Sequence, residues 1–193
     1  MVCPEKTIAL RDGRNCVLRV PRPDDAQALI EYMRITAMET EYLTRTAEEV
    51  CDDIEAEELW IRSQSESPLA LSLLAEVDGE IAGSCSIQFH GKQRMAHRAG
   101  IGIALVRKFW GLGIGTAMLG LLLEEADRRA VCQVELEVVE DNVRAIRLYE
   151  KMGFSICARL PNGLRCADGS LHAIMTMIRN QNRTATIKNG GNI

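Results

Sequence analysis

Hydrophobic and polar positions along this chain repeat with two different periods, and the changes of period divide it into elements. The first clear alternation, "CVLRV" over 16–20, has period two and predicts a strand. In "PRPDDAQALIEYMRI", Pro23 with Asp24 or Asp25 suits a helix start, and Ala28, Leu29, Tyr32 and Met33 form an apolar stripe. Thr46 precedes Glu49 by three residues, a capping-box spacing that predicts a second helix opening there. That segment carries seven acids over 48–58, read either as a solvated face or as a patch that attracts cations. "LALSLLAEV" (69–77), Asp78-Gly79 and "EIAGSCSIQFHG" (80–91) predict a hairpin, because Asp-Gly supplies the positive φ angles of a type I′ turn.

A further strand is predicted at 97–106, "HRAGIGIALV", and an apolar helix at 116–130. "CQVELEVVE" reads as a strand, and "DNVRAIRLYEKMGF" as a helix capped by Asn142 (or Asp141) and stopped by Gly153. "SICARL" and "LHAIMTMI" are the last strands. The order β-α-α-β-β-β-α-β-α-β-β makes an α/β (α+β) fold, a mixed sheet with helices on its faces. Residues 1–179 are expected to form a single domain, and the polar, glycine-rich 180–193 a disordered tail.

Composition removes several function classes. The 193 residues are 47% hydrophobic and contain no apolar run near the ~20 residues a membrane-spanning helix needs, so no membrane association is expected. The N-terminus lacks the apolar core of a signal peptide, and the expected location is cytoplasmic. With a net charge of −4, 4% aromatics and no basic stripe, no nucleic-acid partner is expected. Seven cysteines is an odd number and no CxxC occurs; they read as free and mostly buried, with Cys16, Cys85 and Cys157 in strands. The histidines match no zinc spacing, so no metal is expected.

The candidate chemistry begins at "FWGLGIGTAM" (109–118), where glycines occupy every second position just before a helix. Such a turn gathers free backbone amides at the positive end of a helix dipole, a natural seat for phosphate. No lysine follows these glycines, which excludes a P-loop, and neither register completes GxGxxG, since Thr116 and Met118 take the sixth position. An anion site of another kind, or glycines that merely allow close helix packing, remain.

About 25 residues downstream lies "LEVVEDNVRAIRLYEKMGF". Together the two segments resemble the signature motifs of the GCN5-related N-acetyltransferase (GNAT) superfamily over roughly 69–157. The departure is Trp110, which stands where the family carries Gln or Arg. The resemblance implies a mostly antiparallel sheet of about seven strands with a central splay, flanked by about four helices. It also implies acetyl-coenzyme A as co-substrate, with its pyrophosphate on the backbone of Gly111, Leu112, Gly113, Ile114, Gly115 and Thr116. Leu105 and Val106 would meet the thioester and pantetheine, with Gly100 and Gly102 marking a bulge or a packing concession. Asn142 would contact the pantetheine.

By the same resemblance Tyr149 donates a proton to the coenzyme A sulfur; a phenol of pKa near 10 is protonated at neutral pH. Glu137 is the candidate general base, with Glu135 on the same strand face and Glu76 and His97 in reserve. No cysteine matches a nucleophile, so direct attack in a ternary complex is implied. Glu39, Glu41 and Tyr42, between the first two helices, are placed to read the acceptor, with the loop 162–170 facing them. The acceptor is a small-molecule amine or a peptide N-terminus: polyamine, aminoglycoside, amino acid and peptide all stay open. A homodimer through the last strands is compatible with the family, and a noncatalytic acetyl-coenzyme A sensor or interaction module is the alternative reading.

Overall fold

The computed structural model describes residues 4–180. Its elements are β1 (Lys6–Ala9), β2 (Asn15–Arg19), a 3₁₀ turn (Pro23–Asp25) running into α1 (Ala26–Glu39), α2 (Ile54–Glu66), β3 (Ala70–Val77), β4 (Glu80–Phe89) and β5 (Arg98–Leu105). A second 3₁₀ turn (Arg107–Phe109) leads to α3 (Ile114–Arg128), β6 (Gln133–Val139), α4 (Val143–Lys151), β7 (Ser155–Arg165) and β8 (Leu171–Asn180). The strands form one sheet in the order β1-β2-β3-β4-β5-β6-β8-β7, antiparallel except for β5 and β6.

Helices pack on this sheet through the faces their periodicity marks. Met118, Leu119, Leu122 and Ala126 of α3 are completely buried, and α3 contacts β3, β4 and β5. α1 packs on β4 and α2 on β3. β3 is buried at nearly every position, on both of its faces, so it runs through the centre of the core. β7 forms a sheet edge and leaves Ile156 and Leu160 exposed. The β3–β4 turn has the expected form: Asp78 and Gly79 take φ of 52° and 81°.

Several expectations need correction. β1 is an eighth strand, a four-residue edge too short to stand out as a pattern. The second helix opens at Ile54, not at Thr46. The Thr46 amide does donate to Glu49 (2.8 Å), but Asp53 is the cap that starts the helix, accepting from the Ala56 amide at 3.0 Å. β7 continues past its predicted end through a bulge between Leu160 and Leu164, so the connecting loop starts only after Arg165. Of the described cysteines, none of them in a disulfide, only Cys16 and Cys85 are buried; Cys157 lies in a strand but is exposed. Asn180 belongs to β8, and the rest of the expected tail lies outside the described residues.

Candidate active site

β5 and β6 pair only at Arg98↔Gln133, Ala99↔Val134 and Gly100↔Glu135. Residues 101–105 and 136–139 then run on without pairing across the gap. Their outer edges stay bonded, β5 to β4 as far as Gly83↔Leu105 and β6 to β8 as far as Val139↔Ile174. Two inner strand edges therefore face each other unbonded, and backbone groups so placed need a partner. An extended ligand with amide groups of its own supplies one. A cavity of about 700 Å³ occupies the gap, lined by residues 101–105, Glu137, Val138 and Val139. That is the volume of a small-molecule site.

The glycine loop forms one end of this cavity. Gly111 and Gly113 take φ of 83° and 101°, a region that penalises any side chain. Gly115 serves differently: a Cβ there would stand 3.1 Å from Leu148 Cδ2, so its bareness seats α3 against α4. The Gly111 and Leu112 carbonyls are turned back to Arg11, which donates to them from Nη1 (3.2 Å) and its amide (3.4 Å). Among the described residues no amide of 111–116 has a protein acceptor, as the first turn of a helix requires. Arg11 and Arg144 both line the cavity at this end. Arg144 sits in the first turn of α4, where the dipole disfavours a cation unless an anion is to be held there.

Trp110 now has a physical account. Its indole Nε1 donates to the Leu105 carbonyl at 2.8 Å, fixing the end of β5, and the guanidinium of Arg144 lies 5.0 Å from its ring. The ring also takes Arg107, at 5.5 Å. The indole thus links the free end of β5 to α4 across the gap, by a hydrogen bond and a cation–π contact.

Tyr32 was missed because its partners are backbone groups distant in sequence. Its buried hydroxyl donates to the Ala104 carbonyl (2.8 Å) and accepts from the Ser84 amide (3.1 Å), bridging β4 and β5 beside the gap. Arg45, Glu57 and Trp60 also line the cavity, from the α1–α2 connection and α2. Burial pushes the Glu57 carboxyl upward against the opposing pull of Arg45. The acidic segment they belong to looked from sequence like a surface feature.

Tyr149 and Glu137 reach the same cavity from α4 and β6. Tyr149 is 6% exposed, packs edge-on to Phe154 (6.1 Å between centroids), and has no hydrogen-bond partner for its hydroxyl among the described residues. Burial pushes that hydroxyl up to about 12, so it holds its proton at neutral pH. Glu135 differs from Glu137: it pairs with Arg98 (2.5 Å) and does not line the cavity. Asn142 lines the cavity and also caps α4, its Oδ1 accepting from the Ala145 amide at 3.2 Å.

Of the other expected residues, Leu105, Gly111, Gly113, Gly115, Thr116 and Tyr42 line the cavity. Leu112, Ile114 and Val106 do not; Val106 is buried and its amide is bonded to the Ala82 carbonyl (3.0 Å). Glu39 instead accepts from the Arg107 amide (2.6 Å), and Glu41 lies outside the cavity, where burial and this carboxylate push the Cys166 thiol of the β7–β8 loop up. Glu76 is held by Arg19 (2.8 Å), and His97 lies outside the cavity. His172, also outside it, joins Ser170 (2.8 Å) to Asp141 beside the α4 cap.

The profile of the Acetyltransferase (GNAT) family matches residues 30–154, which span both the glycine loop and α4. The chain belongs to this family. It is 29% identical over 102 residues to the L-amino acid N-acetyltransferase AaaT of Escherichia coli (strain K12), covering 52% of this chain and 63% of that protein. The chain thus aligns with less than two thirds of that relative's length. The fold is similar to that of a GNAT-family acetyltransferase from Streptococcus pneumoniae (TM-score 0.80, 24% identity, covering 86% of this chain and 99% of that one). It is also similar to yncA from Salmonella typhimurium, solved with its cofactor acetyl-CoA (TM-score 0.76, 19% identity, 89% and 96% covered). The GNAT sheet accounts for the parted parallel pair, and among the described residues no helix is long and apolar enough to cross a membrane.

Proposed function

We propose that this chain is an acetyl-coenzyme A-dependent N-acetyltransferase acting on a primary amine by direct attack in a ternary complex. The observation that carries the reading is the parallel β5–β6 pair that parts after Gly100 and Glu135, in a chain of the GNAT family. The free amides of 111–116 and the cations of Arg11 and Arg144 fit a pyrophosphate, and the unbonded strand edges fit the amide groups of a pantetheine arm. Acetyl-coenzyme A supplies the activated acetyl group when bound.

The chain's own residues then divide the work. The gap orients the thioester beside the acceptor, which removes the entropy cost of the encounter. The amine nitrogen bonds to the thioester carbonyl carbon while the carbon–sulfur bond breaks. Glu137 takes the proton the amine must lose, directly or through a water, because an amine of pKa about 8 to 10 is mostly ammonium at pH 7. Tyr149 gives its proton to the departing sulfur. Its hydroxyl, without a partner among the described residues and facing the cavity, supports that role over a structural one.

The test is coenzyme A release with a panel of amines, read beside mass spectrometry of the acetylated product. Stoichiometric release that depends on the amine supports the proposal. Tight acetyl-coenzyme A binding without turnover of any amine refutes it.

A further inference from the structure

Arginines on this chain are as a rule tied to carboxylates: Arg19 to Asp25 and Glu76, Arg34 to Asp52, Arg98 to Glu135, Arg129 to Glu125, Arg159 to Glu140. The three arginines that line the cavity have no carboxylate partner; Arg11 bonds the glycine-loop carbonyls and Arg144 lies over Trp110, whereas Arg45 has neither kind of contact. Its Nε is buried without a partner, and its guanidinium makes no hydrogen bond or ion pair with any described residue. Arg45 itself is half-buried; a buried Nε–H without a partner is unfavourable unless something else completes it, and the two Nη groups stay open to the cavity.

The groups facing it do not complete it. Tyr32 is committed to Ser84 and Ala104, and Thr36 bonds the Tyr32 carbonyl at 3.0 Å. Glu57 shares the cavity but forms no ion pair with Arg45. The other acids of the 48–58 segment, Glu48, Glu49, Asp52, Asp53, Glu55 and the half-buried Glu58, line no part of the cavity. Arg45 and Glu57 thus present one cation and one anion to the same cavity, beside the apolar walls of Leu29, Met33 and Trp60.

We propose that Arg45 anchors a carboxylate carried by the acceptor itself, so that the acceptor is a small α-amino acid and not a polyamine. The planar fork of a guanidinium donates to both oxygens of a carboxylate, which fixes orientation as well as charge. Glu57 faces the ammonium end as it approaches. The acidic segment, which from sequence tilts toward a polycation, contributes only this one carboxylate to the binding volume. The assignment rests on the acetyl-transfer reading, since it names the acceptor of that reaction, but binding can be measured without turnover.

The protein saturated with coenzyme A is titrated calorimetrically with N-acetyl-leucine, N-acetyl-methionine and N-acetyl-phenylalanine, and with the carboxamide of each. Roughly ten- to hundredfold tighter binding of the acids is expected, from charge-assisted hydrogen bonds that the amides cannot make. In Arg45→Gln that preference should fall to within about threefold, with coenzyme A affinity unchanged, and Arg45→Lys should restore part of it. Equal affinity for acid and amide, no binding of either, or a preference that survives Arg45→Gln overturns the assignment. N-acetyl-glutamic acid α-amide, whose one carboxylate is on the side chain, should bind like the neutral amides; binding as tight as the acids overturns the α-carboxylate. Failure of every amine to release coenzyme A would instead refute the acetyl-transfer reading, which this titration does not use.

Discussion

Replacing Tyr149 by Phe should separate activity from stability. The tyrosine is 6% exposed and its hydroxyl has no partner among the described residues, so removing that oxygen breaks no hydrogen bond within the fold. The hydroxyl faces the cavity and is not among the buried unpartnered atoms, so water can meet it there. Its removal should change stability by less than about 1 kcal/mol. Phenylalanine keeps the ring and the edge-on contact with Phe154. The same oxygen is the proposed proton donor to the leaving sulfur, and loss of a general acid lowers kcat by about 10²- to 10⁴-fold.

Alkaline pH adds a second signature. Burial holds the folded hydroxyl at about 12, against an unfolded value near 10. The unfolded chain therefore gives up this proton first. The associated stability is complete below pH 10 and is lost as pH rises from there toward 12. Between pH 9 and pH 11 wild type should lose about 1 kcal/mol more than Tyr149→Phe. The assays are coenzyme A release for kcat and urea denaturation at the two pH values for stability. A variant that keeps its kcat, or that loses more than about 2 kcal/mol of stability at neutral pH, would refute the reasoning.

The fold was legible wherever a periodic run met a turn residue with one conformational meaning. Asp78-Gly79 between alternating runs, and Asn142 and Gly153 around α4, are of this kind. The helix start at Thr46 misled because two capping signals lie seven residues apart, and sequence alone does not say which one the chain continues from. The glycine loop at one end of the cavity was equally legible, since it is made of backbone and backbone in that conformation needs glycine. Glu137, Asn142 and Tyr149 converge on the cavity as the motifs implied. The end of the cavity around Tyr32 and Arg45 was not legible. Tyr32 acts through the backbone of residues 84 and 104, and Arg45 matters because of what it does not touch. Such facts exist only once the chain is folded.

Other substitutions probe the remaining parts of the site. Trp110→Phe removes the bond from Nε1 to the Leu105 carbonyl and should raise KM for acetyl-coenzyme A several-fold with little change in kcat; steady-state kinetics checks it. Tyr32→Phe leaves the Ser84 amide and Ala104 carbonyl without their bridge, and should cost about 1–3 kcal/mol in chemical denaturation. Gly113→Ala meets no atom within 4 Å, so its penalty, about 1–2 kcal/mol, comes from backbone conformation alone and should appear as both a lower Tm and weaker coenzyme A binding. Glu137→Gln should lower kcat by at least about tenfold at pH 7 and less at pH 10, where the amine is already neutral; an equal loss at both would remove Glu137 as the base.

The most direct test of the whole scheme is a crystal structure of the protein with coenzyme A. The pyrophosphate is expected on the amides of residues 111–116, the pantetheine between β5 and β6, and the sulfur within hydrogen-bonding distance of the Tyr149 hydroxyl. Coenzyme A bound elsewhere, or in the gap with its sulfur away from Tyr149, would contradict it.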